Sequence, residues 1–347
     1  LGDVYKRQGQ ELITACVAGY EIQIRLGLAG GSSAHYKKGF HPTATCGVFG
    51  AVASAGYLMG LTKDQFVSAF GIALSQSAGS MQFLTDGAWT KRSHVGQAAQ
   101  NGLNCATMAA EGFKGPSQAF EGQWGYLHAY ASGGDLNKAL DGLGSKFETL
   151  NLGVKPYPSC RYSHAAMGAL AEVRSKHQIT HEEVESVEVG LPHTGWRIIG
   201  ETDDAKRRPV GAVDGQFSMP FCGAVVLRQG TMGWDDYAKH LNDASTLELA
   251  GKFTTVTDAW AESEYPANMA GIVRVKTERG NFEEKVSVPK GEPSNFMTSI
   301  EAREKFDDLV SPYLQKNQLD ELVDVLLTLD KEKSIIAMLD LTRSQDS

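Results

Sequence analysis

The stretch SHVGQAAQNGLNCATMAAEGF, residues 93–113, decides the fold. Gly96, Ala98, Ala99, Gly102, Ala106, Ala109 and Ala110 stud it. Small side chains on a helix let neighbouring backbones approach, so the segment predicts a central helix surrounded on several sides. Gly112 suits the left-handed residue that ends such a helix. Upstream, Leu12, Ile13, Cys16, Val17 and Tyr20 recur at helical spacing. Thr62 and Gln65 form a capping-box pattern, followed by Phe66, Phe70 and Leu74 along one face. Residues 42–62 carry no charge over nearly a bilayer's length. Their Ala, Gly, Ser and Thr content favours a buried, closely packed helix over a membrane span.

The texture changes at Lys155. A helix over 163–175 is followed by Val187, Val189 and Leu191 alternating as a strand, then by a helix over 213–228. Val273, Val275 and Thr277 face Val286 and Val288 across an Arg279-Gly280-Asn281 turn, a hairpin signature. Past Pro293, Thr298 and Glu301 make another capping box, and Leu319, Leu322, Val323 and Leu326 form an apolar stripe. The reading is a mainly α protein: a large all-helical domain with a smaller α+β domain, built on an antiparallel sheet, inserted into it. Residues 9–154 form the helical domain, 155–292 the α+β domain, and 293–347 the helices that return to the first domain.

Residues 3–8, Asp3-Val4-Tyr5-Lys6-Arg7-Gln8, are similar to the in-frame translation of a transposase adapter from DNA libraries. Residues 1–8 are accordingly set aside as a scar. On that reading the natural N-terminus is missing, and apolar helix surface that it would cover is expected to be exposed.

Composition narrows the function. The 347 residues include 42% hydrophobic and 21% charged, as in a soluble globular chain. A net charge of −8 argues against general affinity for nucleic acid or anionic membrane. Any positive groups that hold an anion must therefore be gathered locally. The five cysteines are scattered with no Cys-x-x-Cys pair, which argues against a zinc ribbon or a disulfide framework. No metal site is expected, and a reducing cytoplasm is the simplest compartment.

Three short segments concentrate polar chemistry. In Gly39-Phe40-His41-Pro42-Thr43-Ala44, proline keeps the histidine out of helical geometry at a helix entrance, where amides favour anions. In Thr90-Lys91-Arg92-Ser93-His94, potential cations precede a helix whose dipole is positive there, a misfit that a bound anion would relieve. In Lys155-Pro156-Tyr157-Pro158-Ser159-Cys160-Arg161-Tyr162-Ser163-His164, two prolines stiffen the proposed domain junction, where ligand sites are common. Taken alone, each also reads as a solvated loop.

In this order, the three segments resemble the MmgE/PrpD family, whose members include 2-methylcitrate dehydratases, cis-aconitate decarboxylases and an iminodisuccinate epimerase. The resemblance runs from about residue 10 to about residue 330. It also takes in residues 112–116, 121–125, Gln216-Phe217-Ser218-Met219-Pro220, and 291–298. It implies that His41 is the active-site histidine, with His94 a second acid/base or ligand candidate, and that Lys91 and Lys155 line the substrate pocket. Arg92, Arg161 and His164 are the accompanying substrate-binding candidates. Some decarboxylases of the family have a tyrosine near the position of Met219. The expectation is a lyase without metal or cofactor, acting on a small di- or tricarboxylic acid. A hydro-lyase of the 2-methylcitrate dehydratase type, serving propionate metabolism, comes first. Decarboxylation, epimerisation and non-catalytic carboxylate binding are the alternatives. Fixed cations would stabilise the carboxylate as charge builds on it, and histidine would move the proton. The resemblance further implies a cytoplasmic homodimer. Arg228 is expected to tolerate replacement.

Overall fold

A computed structural model describes residues 4–86, 88–201 and 204–344. Of the segment 1–8, residues 1–3 thus lie outside the described residues; Arg7 donates from Nε to the Leu58 carbonyl at 2.8 Å. The chain divides into two units, 1–151 with 310–347, and 152–309.

The first unit is helical. Its framework is α1 (Gly9–Gly30), α2 (Pro42–Met59), α3 (Lys63–Leu74) and α4 (Thr90–Ala110). Helix α2 lies between α1 and α4, which explains why residues 42–62 carry no charge. Ala44, Val48, Phe49, Val52, Ala55 and Leu58 are all buried. Close approach depends on glycine. A Cβ on Gly50 would come within 2.7 Å of the Gly19 carbonyl oxygen, and one on Gly102 within 2.4 Å of Ala51 Cβ. The Thr62–Gln65 capping box forms, and Gly112 takes φ +88° after α4 ends. Phe49, Val52, Ile72, Cys105 and Tyr126 fill the core, where full burial of each large apolar side chain contributes about 1.5–3 kcal/mol.

Helix α1 forms where the spacing of Leu12, Ile13, Cys16, Val17 and Tyr20 places it, and Ala15, Gly19, Glu21, Arg25, Leu26 and Ala29 are among its buried residues. Helix α4 buries His94, Ala98, Gly102, Cys105, Ala106 and Ala109, while Val95, Leu103 and Met108 remain exposed. It is covered on one face rather than on several. By length and composition α1 could cross a bilayer, which is weak evidence for a single helix near the chain start.

In the second unit, α5 (His164–His177) and α6 (Met219–Gln229) pack on a four-stranded sheet. The strands are β1 (Val184–Leu191), β2 (Phe253–Thr257), β3 (Gly271–Thr277) and β4 (Gly280–Val286), in the order β2-β1-β3-β4. Here the sheet departs from the antiparallel expectation. β2 pairs parallel to β1, with Val189 opposite Thr255, so the sheet is mixed. The hairpin forms with Val275 opposite Phe282, but Thr277 already pairs with Gly280, so Glu278 and Arg279 make the turn. Val187, Val189, Leu191, Val273 and Val275 face Leu170, Val173, Val225 and Val226 in the core.

The expected helix over 213–228 is interrupted. Ala212–Gln216 is a short turn of helix and α6 starts anew at Met219, with Ser218 Oγ accepting from the Phe221 amide. Pro220 follows in the first turn, a position that suits a new helix start and not a helix interior. Helix α7 (Ser299–Val310) follows the Thr298–Glu301 box and falls almost wholly in this unit. The chain thus returns to the helical unit at Val310, later than Pro293. Helix α8 (Lys316–Leu327) then buries Leu319 and Leu322 in the first unit.

Candidate functional site

His41 is the residue before α2, held extended by Pro42 and anchored by its amide bond to the Gly79 carbonyl at 2.9 Å. A bridge between Phe40 and Ser80 ties the same two segments together. His94 lies in the first turn of α4, buried. The two rings meet Nδ1 to Nδ1 at 3.1 Å. One nitrogen must donate and the other accept, so the contact holds one proton between two rings. Burial, then His94 and Lys91, pushes His41 down to about 4. Burial also lowers His94. At neutral pH the pair is therefore uncharged. Phe83, buried, stands edge-on to both rings at 5.8 and 5.9 Å between centroids, and shields them from water.

Lys91 belongs to this group, with Nζ 5.9 Å from the Phe83 ring centre and its charge felt at His41. Arg92, by contrast, is exposed and lies over Trp89 at 5.3 Å. Behind His41, the Tyr126 hydroxyl meets Thr45 Oγ1 at 3.1 Å, His35 Nε2 at 2.8 Å and Cys46 Sγ at 2.9 Å. Ser77 Oγ bonds the Thr45 carbonyl at 2.9 Å. This buried network fixes the first turn of α2, and so the position of His41.

The second unit carries its own cluster. Lys155 Nζ donates to the Ser159 carbonyl at 3.0 Å. His164, the first residue of α5, is 3% exposed. Burial, then Lys155, drives it down to about 3. Its ring bonds the Ser159 carbonyl, while Nε2 has no partner. Arg161 differs from expectation: both arms of its guanidinium engage Glu292, Nε to Oε1 at 2.6 Å. That carboxylate occupies the fork a substrate carboxylate would need.

The remaining motifs prove to be supports. Gln216 Nε2 and the Tyr237 hydroxyl both bond the Pro158 carbonyl, and the Cys160 amide bonds the Gln216 carbonyl. Gly291, at φ +90°, accepts from the Val154 amide at 2.8 Å; a Cβ there would sit 1.9 Å from the Val154 oxygen. Sequence reasoning missed Phe83, and it missed that Glu292 of the 291–298 motif pairs with Arg161. Phe83 carries no local signal, and Glu292 is 131 positions from its partner. Among the described residues no three His, Cys, Asp or Glu side chains converge as metal ligands.

Arg228 also needs correction. It pairs with Asp243 and bonds Thr246 Oγ1, and its Nη1 lies 3.3 Å from His240 Nδ1. It joins α6 to the segment 240–246 and is no bystander.

Residues 1–139 match the MmgE/PrpD N-terminal domain, and residues 157–330 the MmgE/PrpD C-terminal domain. A cis-aconitate decarboxylase-like protein of Aspergillus oryzae is 27% identical, covering 95% of this chain and 70% of that protein. The cis-aconitate decarboxylase of Aspergillus terreus is 26% identical over 96% of this chain and 70% of its own. The mouse cis-aconitate decarboxylase is 29% identical over 52% of this chain and 37% of its own. The chain belongs to the MmgE/PrpD family.

Proposed function

We propose that this chain is a lyase-type enzyme acting on a small polycarboxylate, in which the His41–His94 pair moves the proton. The contact at 3.1 Å between the buried His94 imidazole and the half-buried His41 imidazole carries the reading. A lone surface histidine has no such partner. Burial, with His94 and Lys91 beside His41, keeps the pair uncharged. A polycarboxylate beside it supplies the opposite charge and raises proton affinity, so the rings can both take and give a proton near neutrality. Lys91, in the same unit, stabilises the charge that gathers on a substrate carboxylate.

Decarboxylation comes first, because relatives spanning almost the whole chain are named cis-aconitate decarboxylase or like it. The bond to one carboxylate breaks and CO2 leaves. The electron pair spreads over the double bond and the neighbouring carboxylate, and an imidazole delivers one proton to carbon. Dehydration is the second reading. Met219, fully buried, stands near where some decarboxylases of the family have tyrosine. The same pair would then remove a proton next to a carboxylate and protonate the departing hydroxyl.

The test is product analysis by NMR and CO2 release, with cis-aconitate, citrate, 2-methylcitrate and iminodisuccinate offered separately. CO2 released mole for mole from cis-aconitate supports the first reading, and an alkene formed from citrate or methylcitrate supports the second. No conversion of any of the four by folded protein would remove the lyase assignment.

A further inference from the structure

Helix α7 begins 135 positions after the His164 that opens α5, yet it reaches the loop that precedes α5. Lys305, on α7, donates from Nζ to the Lys155 carbonyl at 2.7 Å. Two ammonium groups are thus drawn to one short loop. Among the described residues no carboxylate pairs with either, and the nearby carboxylate, Glu292, is held by Arg161. Burial, then Lys155, lowers Lys305 below the ordinary lysine range, as crowding of unneutralised cations requires. Each ammonium has three donors and spends one on a backbone carbonyl, leaving two for a ligand.

An independent sign comes from His164. Its side chain is more than nine-tenths buried and Nε2 has no partner. Because the ring already bonds the Ser159 carbonyl, only Nε2 is left to meet a ligand. A buried ring atom without a partner costs about 1–3 kcal/mol. A short helical turn, Arg161–Ser163, leads into α5 and bonds the His164 amide to the Arg161 carbonyl, so any anion here is held by side chains. The two unneutralised cations ask for an anion, and the orphan Nε2, an acceptor while the ring is neutral, joins them by taking up a proton beside it.

We propose that Lys305 is an anion-recognition residue which, with Lys155 and His164, forms a carboxylate-binding subsite within the second unit. This rests on the lyase reading for the identity of the anion, but not for the subsite itself. With a carboxylate in place, His164 takes up a proton and Nε2 becomes a donor beside the two ammonium groups. Lys305 recognises charge and takes no part in proton transfer at carbon.

Calorimetry of the full chain with tricarballylate, and separately with sulfate, tests this. Lys305→Gln keeps a donor for the Lys155 carbonyl and drops the charge, so it separates recognition from simple tethering of α7. Tricarballylate affinity should fall about tenfold or more in Lys305→Gln and stay within about threefold in Lys305→Arg. Equal affinity of wild type and Lys305→Gln overturns the subsite, as does a wild type that binds neither anion. Should Lys305→Gln fold poorly, acetylation of Lys305 in the wild type gives the answer: tricarballylate should slow it, and no protection overturns the proposal. Lys305-dependent binding without turnover would keep the subsite and remove the lyase reading. Turnover with unchanged kcat/KM in Lys305→Gln would do the reverse.

Discussion

At the scale of single residues, the lysines are the sharpest tests after the histidines. If Lys91 and Lys155 face a carboxylate that gains charge in the transition state, replacement of either by methionine should lower kcat/KM by about 10²–10³. Melting temperature should barely change. Retention of more than about a third of wild-type kcat/KM by both variants contradicts the assignment. Arg228 cannot be the control, since it bonds Asp243, Thr246 and His240. Lys316, which is 83% exposed, is the better choice, and Lys316→Met should stay within about 0.5 kcal/mol of wild type. His41 and His94 could be singled out from the sequence because each sits at a helix entrance among small or polar neighbours. Their meeting could not, since 53 positions separate them and nothing local encodes the contact. Lys305, and the pairing of Glu292 with Arg161, were invisible for the same reason: each acts on a loop more than 130 positions upstream.

At the scale of elements, glycine decides how closely α1, α2 and α4 can pack. Gly102→Ala would press a methyl against Ala51 and the Val48 carbonyl, at 2.4 and 2.9 Å. Neither the backbone oxygen nor the short alanine can swing aside. The variant should lose about 1–3 kcal/mol of stability, read as a lower urea midpoint. A midpoint equal to wild type would mean that the helices are free to separate. The stud of small residues made this helix legible, but it did not say which face is covered. Capping boxes were read correctly at Thr62 and Thr298, because their signals lie within four residues. β2 was overlooked: Phe253–Thr257 is short, and its partner β1 lies 66 positions upstream. The break before α6 could have been found, since Ser218 and Pro220 are an N-cap and a first-turn proline in sequence.

At the scale of the whole molecule, the buried histidines govern the response to acid. His41 is held near 4 and His164 near 3, both by burial first, against an ordinary 6.5. Between 6.5 and those values the unfolded chain binds protons that the folded chain refuses. Stability therefore rises with pH across that window and falls on acidification. Glu21, held at about 2 through its bonds to Thr149 and Arg25 against the opposing pull of burial, adds a further loss at still lower pH. The urea midpoint should drop steadily from pH 7 to pH 4; a flat profile down to pH 4 would show that these rings are solvated. The same uncharged, partnered imidazoles underlie the proposed chemistry, and one measurement reaches it directly. Turnover of the converted polycarboxylate is followed by NMR in D2O, comparing wild type with His41→Asn. Proton transfer through His41 predicts solvent deuterium at the reacting carbon in wild type, and a fall in that rate of about 10²–10⁴ in His41→Asn. Deuterium entering the carbon at the wild-type rate in His41→Asn would contradict it.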